Sequence, residues 1–159
     1  MVCCDGPCLG SFHRHCLEKE GEDIVAIDAS DKYLCKDCVS KSHECLTCRQ
    51  IDQDCNLVKC AHAGCGAFFH QSCRDRFISE LKRLGQMGKG IDYSSAMTKR
   101  PQWCIRHWCW TCGEHRDGER IVECIRCDRA YHKCCTPPTA TFLYHGLLCE
   151  FHPYPLVCF

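Results

Sequence analysis

Three nine-residue segments of the chain repeat one arrangement of soft-metal ligands. Cys8 to Cys16, Cys65 to Cys73 and Cys127 to Cys135 each read cysteine, four residues, histidine, two residues, cysteine. An aromatic residue, Phe12, Phe69 or Tyr131, stands directly before each histidine. Upstream of the second and third segments lies a CxxC pair, Cys45 with Cys48 and Cys109 with Cys112. Eleven residues later comes a second pair, Cys60 with Cys65 and Cys124 with Cys127, and a last pair follows downstream, Cys104 with His107 and Cys149 with His152. Thiolate sulfur and imidazole nitrogen are the donors that zinc takes in closed tetrahedra when its role is structural, and two ligands on one turn converge on one ion. Eight ligands per unit make two such sites.

A short loop between the first two pairs, with histidine in fifth place, fits an interleaved cross-brace in which pairs one and three share an ion and pairs two and four share the other. The second unit then holds Cys45, Cys48, His70 and Cys73 at one site and Cys60, Cys65, Cys104 and His107 at the other. The third holds Cys109, Cys112, His132 and Cys135, and Cys124, Cys127, Cys149 and His152. In the first unit only Cys4, Cys8, Cys35 and Cys38 complete a site, while His13 and Cys16 form a partial site without an opening pair. The total is about five zinc ions per chain. Cys3, Cys16, Cys55, Cys134 and Cys158 remain outside the complete sites, and His15, His43, His62, His115 and His145 fit no ligand position and read as surface residues.

The elements that must position these ligands are small. Asn56 to Lys59 and Arg120 to Glu123 lead into the second pairs, and Ala67 to Phe69 and Arg129 to Tyr131 leave them. Each unit is therefore expected to carry a two-stranded sheet. Between Arg74 and Trp103 lies one insertion, whose first part places Phe77, Ile78, Leu81 and Leu84 on one helical face, with Gly85 as the expected end. Gly88, Gly90, Ser94 and Ser95 then read as a loop. A core of this size contributes only a few kcal/mol, whereas structural zinc in small domains binds with roughly 10–16 kcal/mol per ion. Metal, more than packing, is expected to hold the fold.

Composition supports zinc over disulfides. The 159 residues include 21 cysteines, an odd number, and 10 histidines, to which a disulfide framework gives no role. Residues 1 to 17 contain no apolar run of the kind a signal peptide needs, and no stretch approaches the roughly eighteen apolar residues of a membrane span. The formal charge is zero. Residues 1–58 carry an excess of five acidic groups and residues 59–159 an excess of five basic ones, all of it accounted for by the segment from Arg74 to Arg106. Sixteen thiolates carry six more negative charges than five divalent ions supply, so the metallated chain is acidic. DNA contact through Lys82, Arg83, Lys89, Lys99 and Arg100 is expected to be weak at most. Neither a membrane nor a small-molecule substrate is expected as a partner.

Four cysteines, a fifth-place histidine preceded by an aromatic, then a long gap to a final pair resembles the PHD finger, and Cys3-Cys-Asp-Gly6 is typical of its second ligand pair. The closing His107 and His152, and the single residue between the last two fingers, are similar to the PHD cluster of the NSD-type (nuclear receptor-binding SET domain) histone lysine methyltransferases and of the plant Enhanced Downy Mildew chromatin regulators. Ser42 to Cys48, Trp103 to Cys112 and Val122 to Cys127 carry the match. The expected fold class is thus small zinc-stabilised α+β, with tandem cross-brace PHD-type zinc fingers and little regular secondary structure. The expected division is an incomplete finger at 1–38 lacking its first ligand pair, a finger at 45–107 with the helical and loop insertion 74–103, a finger at 108–152, and a tail at 153–159.

The resemblance implies a nuclear, chromatin-associated interaction module without catalysis. The SET methyltransferase segment is absent from these residues, and the ligand order does not fit a RING-type ubiquitin ligase. The expected partner is a histone H3 tail, unmodified or otherwise needing no aromatic cage. PHD fingers generally take such tails as an added strand, with acidic residues receiving lysine or arginine. Asp52 and Asp54 in one loop, and Asp117 and Glu119 in the other, are the candidate peptide-binding residues. Neither loop holds an aromatic, which argues against a trimethyl-lysine cage. Trp108 and Trp110, either side of Cys109, are expected to fill the junction between fingers. The competing reading is a rigid protein-docking platform of a histone methyltransferase-like chromatin regulator.

Overall fold

A computed structural model of the chain describes residues 1–22, 32–86, 97, 99–115, 118–144 and 146–149. They divide into two compact units, Met1–Gln71 and Ser72–Phe159.

In the first unit β1 (Val2–Cys3) pairs antiparallel with β2 (Ser11–Phe12), followed by helix α1 (Arg14–Lys19) and helix α2 (Lys36–Ser40). Lys41 closes α2 in the left-handed conformation (φ 55°) and turns the chain into a hairpin of β3 (Ser42–Glu44) and β4 (Ile51–Gln53). A 3₁₀ turn at Asp54–Asn56 leads to β5 (Val58–Lys59), which pairs with β6 (Phe68–Phe69). Helix α3 (Gln71–Gln86) starts directly after His70.

In the second unit a 3₁₀ turn at Ile105–His107 precedes β7 (Ile121–Glu123) and β8 (Ala130–His132), and a further hairpin of β9 (Thr141–Leu143) and β10 (Gly146–Leu148) follows. No described helix is long and apolar enough to cross a membrane.

One register recurs. The aromatic before each repeat histidine faces a valine across the sheet: Phe12 opposite Val2, Phe69 opposite Val58, and Tyr131 opposite Val122. A β-branched residue against an aromatic is a favourable cross-strand pair. In two of the three the ring is also sunk, Phe69 being 2% and Tyr131 0% exposed, while Phe12 is half-buried. These small cores are completed by Leu46, Leu57 and Phe68 in the first unit and by Ile105, Leu147 and Leu148 in the second.

Helix α3 buries Phe77, Ile78 and Leu81, but it begins at Gln71 and runs through Gly85 to Gln86, so Gly85 does not end it. A single glycine costs a helix about 1 kcal/mol, which neighbouring turns can absorb. The loop read at Gly88 to Ser95 lies outside the described residues. At its far side Met97 is fully buried, and Arg74 on α3 donates to the carbonyls of Met97 (2.7 Å), Arg100 (3.1 Å) and Trp103 (3.0 Å). Part of the basic excess of this insertion is therefore spent internally, while Arg76, Lys82, Arg83 and Lys99 stay exposed. Arg74 is 3% exposed and Arg100 lies over the Trp103 ring at 4.1 Å.

Trp108 and Trp110 are buried. Trp110 packs on Phe77 (5.1 Å between ring centroids) and beneath the Arg129 guanidinium (4.4 Å), so its faces are occupied by packing.

Candidate metal centres

Five groups of cysteine and histidine meet with all their ligand atoms within 4.8 Å of one another: Cys4, Cys8, Cys35 and Cys38; Cys45, Cys48, His70 and Cys73; Cys60, Cys65, Cys104 and His107; Cys109, Cys112, His132 and Cys135; and Cys124, Cys127 and Cys149. His152, the remaining ligand expected for the last group, lies outside the described residues. His13 and Cys16 are exposed and join no such group among the described residues.

The donor sets fit zinc. Zinc–sulfur bonds of about 2.3 Å place tetrahedral sulfurs about 3.8 Å apart, and a sulfur and a histidine nitrogen about 3.6 Å apart. The sulfurs of Cys4 and Cys38 are 3.7 Å apart, those of Cys8 and Cys35 3.6 Å, and those of Cys127 and Cys149 3.7 Å. Nδ1 of His70 is 3.4 Å from Cys48 Sγ, and Nδ1 of His132 is 3.4 Å from Cys112 Sγ. In the four groups with four described members, four protein ligands would leave no open position for water or substrate, which is the structural rather than the catalytic form of a zinc site.

Local backbone geometry prepares the thiolates. Gly6 and Cys35 donate their N–H groups to Cys4 Sγ at 3.3 Å, and Gly10 donates to Cys8 at 3.3 Å. Gly6 is required here, because a Cβ in its place would lie 2.6 Å from Cys38 Sγ. At Cys45, burial raises the thiol but the N–H groups of Cys48, His70 and Thr47 outweigh it and bring it down to about 7. Burial dominates at Cys35 and Cys127, pushing the first up to about 11 and the second up to about 12. Arg129 answers the latter: its Nη1 donates to Cys127 Sγ at 3.7 Å, and although burial opposes its charge, the neighbouring thiolate holds the guanidinium above its ordinary value.

Asp52, Asp54 and Glu119, three of the four candidate peptide-binding acids, have partners within the chain. Asp52 accepts from Asn56 Nδ2 at 2.8 Å, from the Gln53 N–H at 2.7 Å and from His70 Nε2 at 3.2 Å, which hold its carboxyl below the usual range. A carboxylate so placed is of the kind that fixes the ring of a metal-ligating histidine. His70 is raised in return, chiefly by that hydrogen bond. Asp54 accepts from Nδ1 of His43. Glu119 accepts from Cys134 Sγ at 3.7 Å, and Asp117 lies outside the described residues.

His43, read from its spacing as a surface residue, is instead 3% exposed and stacked on Phe68 at 3.9 Å. It sits at the centre of β3, on the face the hairpin turns inward, and a spacing-based reading of ligand positions carries no signal for that. His15 is exposed, His62 and His115 are half-buried, and His145 lies outside the described residues.

A groove of about 610 Å³ in the second unit runs beside β7. Arg120 to Glu123 form one wall, Phe142, Leu143, Tyr144 and Gly146 the other, and Lys133 also lines it. Phe142 is 57% and Tyr144 96% exposed. These aromatics come from the β9–β10 hairpin, which the reading of the ligand loops passed over. The exposed run Phe142-Leu-Tyr144 was the available signal.

Interleaved ligand pairs around two-stranded sheets, with few helices and short strands, define a tandem of PHD zinc fingers held by about five zinc ions. Residues 41–91 match the PHD zinc finger, and residues 109–154 the variant PHD zinc finger, of the histone-lysine N-methyltransferase NSD-like family. Over 89% of its length the chain is 29% identical to Protein ENHANCED DOWNY MILDEW 2 of Arabidopsis thaliana. It is 26% identical over 96% of its length to histone-lysine N-methyltransferase NSD3 of Mus musculus, and 24% identical over 98% to the H3 lysine-36 specific histone-lysine N-methyltransferase of Homo sapiens. The chain carries an NSD-type PHD finger cluster. It spans only 12%, 10% and 5% of those three proteins. No solved structure matches it at a significant level.

Proposed function

We propose that the chain is a non-catalytic, zinc-stapled interaction module of a nuclear chromatin regulator, and that its last finger takes an extended histone H3 tail in the groove beside β7. The groove itself carries this reading. β7 pairs with β8 on one side; on the other, Cys124 just after it bridges Leu147 of β10, and Arg120 to Glu123 line the groove, where the wall from Phe142 to Tyr144 confines a chain laid beside them. A peptide added there gains main-chain hydrogen bonds from the strand and side-chain specificity from the wall. The acidic net charge of the metallated protein favours a basic tail. Asp52 and Asp54 hold His70 and His43, which moves the proposed site away from the 49–59 loop and towards the last finger. The ligand residues named above are proposed as the zinc ligands of fingers spanning 1–38, 45–107 and 108–152.

Titration of unmodified and methylated H3 peptides into the zinc-loaded chain by calorimetry tests the proposal. Binding should weaken by about 30-fold or more in Tyr144→Ala or Phe142→Ala, the loss expected of an aromatic anchor worth about 2 kcal/mol. If no H3 peptide binds, the tail reading fails. The exposed Phe142, Leu143 and Tyr144 would then support the second reading, a docking surface for a chromatin protein, tested by loss of that partner in the same variants.

A further inference from the structure

We propose that His43 is a positioning residue of the metal centre formed by Cys4, Cys8, Cys35 and Cys38, donating from Nε2 to the Cys38 sulfur while Asp54 orients the ring. Metal retention in the first finger then depends on the β3–β4 hairpin of the second. The inference rests on zinc at that centre and is independent of the H3-tail reading.

Nε2 of His43 lies 3.4 Å from Cys38 Sγ. His43 does not belong to the group whose ligand atoms all lie within 4.8 Å of one another, so it stands outside the tetrahedron and faces it through one sulfur. Its other nitrogen, Nδ1, meets the Asp54 carboxylate. A carboxylate and a metal-bound thiolate are both acceptors, so a ring that satisfies both donates from each nitrogen. Phe68 stacks on the ring with an interplanar angle of 4°, and burial at 3% exposure leaves it little room to turn. The backbone delivers the residue by a specific route. Lys41 reverses the chain in the left-handed conformation just after α2, which carries Cys38, and the Asp54 N–H donates to the Lys41 carbonyl at 2.9 Å, tying the far end of the hairpin to the same turn.

The chemistry gives the donor a purpose. Four thiolates around a divalent ion leave an excess of negative charge, and the backbone serves them unevenly. Cys4 receives two N–H groups and Cys8 one, whereas Cys38 Sγ meets the His43 ring from beyond its own ligand set. A hydrogen bond to a metal-bound sulfur draws electron density from it and fixes its direction, and such outer partners change metal affinity by about 10- to 100-fold.

The test uses the full zinc-loaded chain and a colorimetric zinc chelator. His43→Phe keeps a flat ring on Phe68 and removes both donors. One zinc equivalent should leave about 10- to 100-fold faster while the others keep their rates, and Asp54→Asn should accelerate the same equivalent to a smaller degree. In the cobalt-substituted chain, the sulfur-to-metal charge-transfer band of one centre should move to lower energy in both variants. Wild-type release of every ion with an unmoved band in His43→Phe would overturn the proposal. So would acceleration spread evenly over all ions, which marks a packing role alone. If His43→Phe fails to fold, Asp54→Asn, which leaves the ring in place, decides by the same two readouts.

Discussion

His70 stands between Asp52 and Cys48. Its Nε2 donates to Asp52 Oδ2 at 3.2 Å, and its Nδ1 faces Cys48 Sγ at 3.4 Å. The ring nitrogen that faces the cysteine cluster is therefore chosen by a carboxylate outside that cluster. Replacing Asp52 with Ala should lower the zinc affinity of that one centre by about 10- to 100-fold and leave the others unchanged. Competition with a chelator of known affinity measures it, and an unchanged affinity would show that the ring needs no such support.

Removal of metal should unfold the chain as a whole. Its sheets have two or three residues per strand, too few to stand alone, and the binding energy of each ion is also folding energy. Elemental analysis of the purified protein should give about five zinc ions per chain. Excess chelator should abolish dispersed amide resonances, and zinc should restore them. A count of two or fewer is incompatible with the five clusters.

Gly66 and Gly64 should respond oppositely in scale to alanine. A Cβ on Gly66 would lie 1.5 Å from the Cys8 carbonyl oxygen and 2.3 Å from its carbon, so one backbone segment would have to move. A Cβ on Gly64 meets nothing within 4 Å, and only its positive φ of 74° is strained. The expected losses are about 3 kcal/mol or more for Gly66→Ala and about 1 kcal/mol for Gly64→Ala. Urea denaturation of the zinc-loaded forms compares them. Equal losses would contradict the close approach of the Cys8 turn.

Arg74→Met should destabilise the chain by about 3 kcal/mol, because three carbonyls lose a buried cationic donor. Arg74→Lys should recover little of this, since an ammonium cannot reproduce the planar fork that reaches Met97, Arg100 and Trp103 together. Thermal melts of the two variants test the pair. Full recovery by lysine would mean that charge alone matters there.

Much of the framework was legible in residue spacing, because zinc ligation is local. Two ligands on one turn behave as a unit, and only the pairing of units must be found. Cys45 and Cys48 are grouped with His70 and Cys73 by order along the chain, and the folded chain draws these four together. The strands around the second pairs were legible for a related reason: alternating Val and aromatic residues beside a ligand have one face to bury, as Val58 and Phe69 do. Their bounds came out shorter, Val58–Lys59 rather than from Asn56, because a 3₁₀ turn holds Asp54–Asn56.

Sequence by itself determined the number of centres and the kinship with NSD-type fingers, since each depends on residue types at short separations. Tertiary structure alone decided what the remaining polar and aromatic groups do. Asp52 and Asp54 look like free acids in a loop, yet they close on His70 and His43. His43 looks like a surface histidine, yet it lies under Phe68 against Cys38. Phe142 and Tyr144 stand beyond the last repeat histidine, yet they wall the groove beside β7. The reason is physical. A metal ligand is defined by its own donor atom and its neighbour on the turn, whereas burial, hydrogen-bond partner and groove are defined by whatever distant residue the fold sets opposite.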